Sequence, residues 1–344
     1  MKKLFTFVIT AILSLSLLTA AGCVDPTPST TPTPTVSPSQ TATPSASPKT
    51  EIDFYVPDGA PALTIAGLVS AEFENYNINF HVVAGDQIAG KVANGEADVV
   101  IMPTNAGANL FNKGKDIQLV SANVHGLLYL VGKENLTSLD ELKGKVVYNI
   151  GQGQTPDATF RYILQQNGIE CVISDVPVDG KVALQFVSEG SALVALLKTN
   201  AASYGILGEP VATQAVSAAG VSVLFDIQEE WRNVTGLGNF PQASLFMKSE
   251  LANDTAFVDE LLAKLNQNDD WIVQNPAEAK AAIQSVGSNL AVNLSSAIIQ
   301  RCNINTVSAT DAKSEILAYL NVLYQFNPDF VGGAVPGDDF FYER

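Results

Sequence analysis

Apolar residues along most of the chain form short runs that alternate with stretches of helical spacing. The runs have the length and apolar content of buried strands, and we predict strands at 51–56, 78–83, 98–102, 145–150, 182–187, 221–226 and 240–247. Stretches between them, such as 87–94 and 192–198, place apolar residues on one helical face. Strand–helix alternation predicts an α/β fold with mostly parallel sheets flanked by helices.

The run at 117–131 is longer and has a polar, glycine-containing centre at Asn123 and His125–Gly126. Such an interruption suits a hinge, at which the chain leaves one lobe and enters another. About 290 residues follow position 50, more than one compact core usually holds. We therefore predict a first lobe from 51–124 and 241–344 and a second lobe from 125–240.

The region after the strand at 240–247 has helical periodicity. We predict that it is helical as far as 324, with helices at 257–265, 277–286, 291–299 and 312–323. Residues 229–239 show no clear period and are predicted to be irregular.

The N-terminus has the organisation of an export signal. Lys2 and Lys3 precede an apolar run at 4–18, and small residues end this run directly before Cys23. The run is too short to span a membrane, so we predict a signal peptide at 1–22. The Ala-Gly-Cys sequence resembles a bacterial lipobox, which predicts lipidation of Cys23. An ordinary cleaved signal with an incidental cysteine is the alternative.

Residues 23–50 consist largely of Pro, Ser and Thr. This composition provides no apolar surface to bury and favours an extended linker. With a lipid at Cys23, the linker would keep an exported domain near the outer face of a membrane.

The formal net charge is −16, which argues against nucleic acid or an anionic membrane surface as a partner. The two histidines, His81 and His125, lie far from any cysteine spacing typical of a metal site, and we predict no metal and no cofactor. Cys171 and Cys302 are predicted to be buried thiols rather than a disulfide.

Two segments of the chain echo one another. Residues 78–105 and 182–211 each read as a strand, a helix, a short strand and a proline-marked turn into a helix. The echo places Thr104 and Asn105 in positions equivalent to Gly208 and Glu209, at the carboxyl ends of strands. Ligands of open α/β sheets bind at such ends, so facing lobes would bring these residues to one cleft.

The segment SLDELKGKVVYNIGQGQTPDATFRYIL, at 138–164, predicts a strand, a glycine-rich loop at 151–154 and a helix. Thr155 suits the N-cap of this helix and Pro156 its first turn. A loop at a helix start offers free backbone N–H groups to a small ligand. The loop lacks the lysine of a P-loop and the full spacing of a dinucleotide fingerprint.

This segment, with GILGEP at 205–210, FPQASLFMKSE at 240–250 and NPAEAKAAI at 275–283, resembles the solute-binding proteins of ABC importers. The likeness is to the group that serves thiamine-precursor pyrimidines, aliphatic sulfonates and nitrate. The resemblance implies a two-lobed type II periplasmic-binding-protein fold with a hinged cleft. It also implies an extracytoplasmic protein, expected to be a monomer, which binds a small molecule without chemistry and delivers it to a membrane permease.

The predicted site combines the strand ends, the hinge and the glycine-rich loop. Structural roles are the alternatives: turn positions for the glycines, N-caps for the threonines, a solvated turn for the glutamate and an interior position for the histidine. The predicted ligand-binding residues are Asp58, Gly59, Ala60, Thr104, Asn105, His125, Gly151, Gln152, Gly153, Gln154, Thr155, Glu209 and Asn239.

Charge in these loops favours one ligand class. Asp58 and Glu209 are present, whereas the Arg or Lys expected in an oxyanion site are not. We therefore predict a neutral or amine-bearing solute, such as an aminopyrimidine of the thiamine-precursor kind. The alternatives are a sulfonate or nitrate binder, an enzyme on the same fold, and a surface sensor. Since no nucleophile–base motif such as G-x-S-x-G is visible, we predict no enzymatic activity.

Overall fold

The computed structural model describes residues 48–343. Within this range twelve strands form two sheets of six strands each. No helix in the described range has the length and apolar character needed to cross a membrane. The predicted signal peptide, Cys23 and nearly all of the linker lie outside the described residues.

The elements alternate along the chain much as the sequence predicts. The strands are β1 (Thr50–Pro57), β2 (Tyr76–Val83), β3 (Val99–Pro103), β4 (Ile117–His125), β5 (Leu128–Gly132), β6 (Val146–Ile150), β7 (Cys171–Ile173), β8 (Val182–Val187), β9 (Tyr204–Gly208), β10 (Ser222–Asp226), β11 (Pro241–Lys248) and β12 (Ile304–Ser308). The helices are α1 (Ala60–Leu63), α2 (Ile88–Ala93), α3 (Thr104–Asn112), α4 (Thr155–Gln166), α5 (Gly190–Lys198), α6 (Val211–Ala219), α7 (Ile227–Thr235), α8 (Ser249–Ala252), α9 (Thr255–Gln274), α10 (Pro276–Ser285), α11 (Ser296–Arg301) and α12 (Ala309–Phe326).

Five strands of each sheet share one arrangement, in which β4-β11-β3-β1-β2 corresponds to β10-β5-β9-β6-β8. Strands β12 and β7 lie outside this correspondence, at opposite ends. The first sheet has the order β12-β4-β11-β3-β1-β2 and the second sheet β10-β5-β9-β6-β8-β7. In the first, β1 runs parallel to β2 and β3, and β11 runs antiparallel to β3. In the second, β6 runs parallel to β8 and β9, and β5 runs antiparallel to β9. Thus β3 and β9 occupy equivalent positions, as the sequence echo predicts.

This architecture confirms the predicted α/β class, with one correction. The sheets are mixed rather than mostly parallel, because β5 and β11 each enter their sheet from the other and run against their neighbours. The spacing of apolar residues predicts that a strand forms, but it does not show in which direction a strand that returns from the other sheet will run.

The chain passes between the sheets at two adjacent places. Strand β4 ends at His125 in the first sheet and β5 begins at Leu128 in the second; the return runs from α7 to β11. The amides of Asn239 and Asn303 both donate to the Gly126 carbonyl, at 3.3 and 2.7 Å. A Cβ at Gly126 would lie 2.3 Å from Asn239 Oδ1, so the close approach of the crossings requires glycine there.

Parts of three predicted stretches differ from the structure. The helix predicted at 291–299 begins only at Ser296, with α11. Helix α7 replaces the irregular segment predicted at 229–239, because the Asp226 carboxylate accepts from the N–H groups of Gln228 and Glu229 and Trp231 is buried. Strand β12 lies within the region predicted to be wholly helical, where it pairs with β4. The cap of α7 is local, whereas the burial of Trp231 against Tyr319 and the pairing of β12 with β4 depend on contacts remote in sequence.

Candidate functional site

A cavity lies between the two sheets and holds about 830 Å³ of empty space, part of it open to solvent. The first sheet supplies residues 57–61 at the end of β1, Pro103 at the end of β3, and Gln242 and Ala243 of β11. The second sheet supplies residues within 150–156 after β6, 188–190 after β8 and residues within 208–211 after β9. The cavity lies at the carboxyl ends of strands, where open α/β sheets bind ligands, and its size suits a small molecule.

The structure brings several of the predicted ligand-binding residues to this cavity. Gln154 extends from the second sheet towards the first, and its Nε2 lies 3.5 Å from the carbonyl oxygen of Gly85. Gly151 has φ of +64°, and a Cβ there would lie 2.7 Å from the Gln154 side chain, so this turn favours glycine. The predicted residues that line the cavity are Asp58, Gly59, Ala60, Gly151, Gln154 and Glu209.

Asn105 and Thr155 are buried beside the cavity and hold the glycine-rich loop. Asn105 Nδ2 donates to the carbonyl oxygens of Gly153 and Phe330, at 3.0 Å each. Thr155 Oγ1 donates to Asn105 Oδ1 at 3.1 Å. Thr155 is the first residue of α4, and the N-cap is Gln154, which corrects the predicted capping role.

Other predicted residues also have structural partners or point away. Thr104 is buried, and its Oγ1 lies 2.8 Å from Ser244 Oγ. The Gly153 N–H donates to Asp157 Oδ2 at 2.8 Å, and Gln152 is exposed. Burial raises the pKa of Asp157, while the Gly153 N–H and the Arg161 guanidinium act in the opposite direction.

His125 and Asn239 do not reach the cavity. Both line a separate depression beside the two chain crossings, which Asp269 also borders. His125 Nε2 lies 3.1 Å from the Asn305 carbonyl oxygen. The structure therefore places these two predicted ligand-binding residues at the crossings rather than in the cleft.

The Asp58 carboxylate is engaged by the protein itself. Its Oδ1 accepts from the Gly59 N–H at 2.8 Å and from Ser288 Oγ at 2.6 Å, and its Oδ2 accepts from the Asn289 N–H at 2.9 Å. These bonds join the loop after β1 to the segment after α10. Asp58 therefore shapes the cavity wall and has much of its accepting capacity occupied.

The Glu209 carboxylate is engaged in the same way. Its Oε1 accepts from Arg301 Nε at 2.9 Å and from Thr213 Oγ1 at 2.8 Å, and its Oε2 accepts from the Thr213 N–H at 3.1 Å. Arg301 Nη2 also donates to Thr213 Oγ1 at 2.8 Å. Of the two carboxylates on which the amine prediction rested, Glu209 therefore has a charged protein partner, whereas Asp58 accepts only from neutral groups.

Sequence reasoning missed several parts of the cavity wall, among them Gly85, Leu127 and Leu128. Ser188, Glu189 and Gly190 lead from β8 into α5, so the strand-end rule applied to the predicted strand at 182–187 could have found them. Gln242 lies on β11 where the register with β4 shifts between Pro241 and Ala243. No sequence signal marks that position.

The described residues contain no cluster of three or more His, Cys, Asp or Glu side chains that could hold a metal ion. Cys171 and Cys302 are free thiols. Cys302 is buried, as predicted, whereas Cys171 is half-buried. Burial raises the pKa of both thiols, and Cys302 is fully buried.

No family model and no curated protein matches this chain. Among solved structures it is similar to an ABC transporter from Parabacteroides distasonis, with a TM-score of 0.70 and 24% identity over 86% of this chain and 100% of that one. It is also similar to the periplasmic aliphatic sulphonate binding protein of Escherichia coli, with a TM-score of 0.59 and 16% identity over 86% and 96% of the two chains.

A third similar structure is the zinc-bound ligand binding component of an ABC-type import system from Staphylococcus aureus. Its TM-score is 0.61 and its identity 12%, over 86% of this chain and 97% of that one. At these identities the likenesses show the fold alone, and they agree with the predicted α/β class and its two sheets flanked by helices.

Proposed function

We propose that this chain is the extracytoplasmic solute-binding component of an ABC importer, which holds a small molecule between its two sheets and passes it to a permease. The observation that carries the proposal is the cavity at the carboxyl ends of strands from both sheets, beside two chain crossings. Crossings of this kind allow one half to rotate towards the other around a ligand. The fold shared with import-system binding components supports the same role.

A neutral solute suits the cavity best. Its lining contains neither Lys nor Arg, which disfavours the sulfonate and nitrate alternative, and its Asp58 and Glu209 carboxylates are engaged by protein donors. Aminopyrimidines of the thiamine-precursor kind remain within the neutral class. An amine-bearing cation is the second candidate, because the Asp58 and Glu189 carboxylates line the cavity and accept from neutral groups.

The proposal includes a signal peptide at 1–22, a lipid on Cys23 and the linker that follows it. We also propose two lobes joined by the crossings, one formed by 51–124 with 241–344 and the other by 125–240. The protein is proposed to be a monomer. Membrane fractionation of the full chain checks the anchor. Cys23→Ser should move the protein from the membrane fraction to the soluble exported fraction, and unchanged fractionation would exclude lipidation at Cys23.

Mass spectrometry of small molecules released by denaturing the purified protein tests the binding role. Calorimetry would then use each released compound and a panel of pyrimidines, methanesulfonate, nitrate and 1,4-diaminobutane. We expect one saturable site for a neutral compound, without turnover of that compound. The proposal fails if nothing co-purifies and no panel member binds, and turnover of a bound compound would favour the enzyme alternative.

A further inference from the structure

Gln242 combines burial with an unmet hydrogen-bonding group. Its side chain lines the cavity and is only 9% exposed. Its Oε1 has no hydrogen-bond partner among the described residues. A buried acceptor without a partner is energetically unfavourable, and nearly all such groups in folded proteins are paired. A donor from a bound solute would remove this cost.

The surroundings of Gln242 are mostly apolar. Leu127, Leu128, Ile150 and Val211 face the same cavity. An amide among such groups can select a solute by the hydrogen bond it makes, because a solute that lacks the matching group leaves the amide buried and unpaired.

The charged groups of the wall do not compete for this role. The Asp58 and Glu209 carboxylates are occupied by Ser288, Asn289, Thr213 and Arg301. An anion would find no Lys or Arg in the lining. A cation would meet the negative charges of Asp58 and Glu189, but three hydrogen bonds already fill most of the acceptor positions of Asp58. The wall therefore favours a neutral molecule with at least one N–H or O–H donor.

We infer that Gln242 is a specificity-determining residue of the cavity, where its Oε1 accepts a hydrogen bond from an N–H or O–H group of a neutral, compact solute. This inference rests on the proposed function and specifies the ligand class of the same site. Neutral nitrogen heterocycles and primary or secondary amides have the required chemistry.

Gln242→Met tests the inference, since methionine has a similar length and cannot accept this hydrogen bond well. Gln185→Met is a matched control. Gln185 lies on β8, and its Oε1 is also buried without a partner, but its side chain does not line the cavity. Circular dichroism and thermal unfolding of both variants would show that each is folded before binding is measured.

The probes are uracil, cytosine, nicotinamide, methanesulfonate, 1,4-diaminobutane and any compound released from the purified protein. We expect a neutral donor-bearing probe to bind the wild type and Gln185→Met alike, and to bind Gln242→Met at least about tenfold more weakly. Equal binding by Gln242→Met, or binding of charged probes alone, would overturn the inference and leave the proposed function standing. If no probe binds and nothing is released, both are overturned.

Discussion

Arg301 and Glu209 form an ion pair between the two halves of the fold, with 2.9 Å between Arg301 Nε and Glu209 Oε1. Arg301 ends α11, just before strand β12 of the first sheet, while Glu209 follows β9 of the second. Glu209 is 5% exposed and Arg301 45% exposed. The pair therefore ties a nearly buried carboxylate of the cavity wall to a residue at its rim.

Arg301→Gln should lower the free energy of unfolding by about 1–2 kcal/mol, because Glu209 would lose its charged partner while remaining buried. Urea denaturation measures the change. Lys181→Gln is the control, since Lys181 pairs with Glu170 at 2.7 Å and both side chains are exposed. The control should leave the free energy of unfolding close to that of the wild type, because an exposed pair contributes little. Equal stability of Arg301→Gln and the wild type would show that the pair contributes nothing to the fold.

Asn105→Ala should cost about 2–4 kcal/mol of unfolding free energy, because it leaves the carbonyls of Gly153 and Phe330 and the hydroxyl of Thr155 without their partner. Asn109→Ala on the same helix is the control. Asn109 makes one exposed hydrogen bond, to the Asp329 carbonyl, and its loss should cost less than about 1 kcal/mol. Similar losses in the two variants would contradict the structural role assigned to Asn105.

Gly107→Ala should destabilise the protein by about 2–3 kcal/mol, because a Cβ at Gly107 would lie 2.1 Å from the buried ring of Phe246. Gly90→Ala serves as the opposite case. Gly90 lies within α2, where a Cβ would meet nothing within 4 Å. Alanine there should raise the free energy of unfolding by at most about 1 kcal/mol. Thermal unfolding would compare the melting temperatures of the two variants with that of the wild type. If Gly107→Ala is as stable as the wild type, α3 can move away from β11.

Asp269→Asn should change the pH dependence of stability. Burial raises the pKa of Asp269 to about 6; Asp270 adds to the shift, while the Thr306 hydrogen bonds and His125 oppose it. The native state therefore holds a proton that the unfolded chain has lost, and this contribution to stability disappears as pH rises from about 4 through 6. In thermal unfolding from pH 4.5 to 7.5, the melting temperature of the variant should rise relative to that of the wild type as pH rises.

Asp175→Asn is the control for that series, since Asp175 is exposed. Its melting temperature should follow the wild type at every pH. Parallel curves for Asp269→Asn and the wild type would refute the burial effect.

The sequence by itself determined the local elements and their order. Apolar periodicity predicted β1, β3, β6 and β8, and the sequence echo predicted β9. The strand ends and the glycine-rich loop led to Asp58, Gly151 and Glu209, all of which line the cavity. These signals are local, because the spacing of apolar residues reflects which face of a strand or helix is buried. The division into lobes and the lipid anchor stay predictions.

Only the tertiary structure decided what those cavity residues do. The partners that occupy Asp58 and Glu209, Ser288 and Arg301, lie 230 and 92 positions away along the chain. Gln242 likewise becomes a candidate only where β11 enters the cavity wall. A carboxylate reads the same in a sequence whether it is free or paired. Its availability to a ligand depends on hydrogen bonds that form when distant segments pack together.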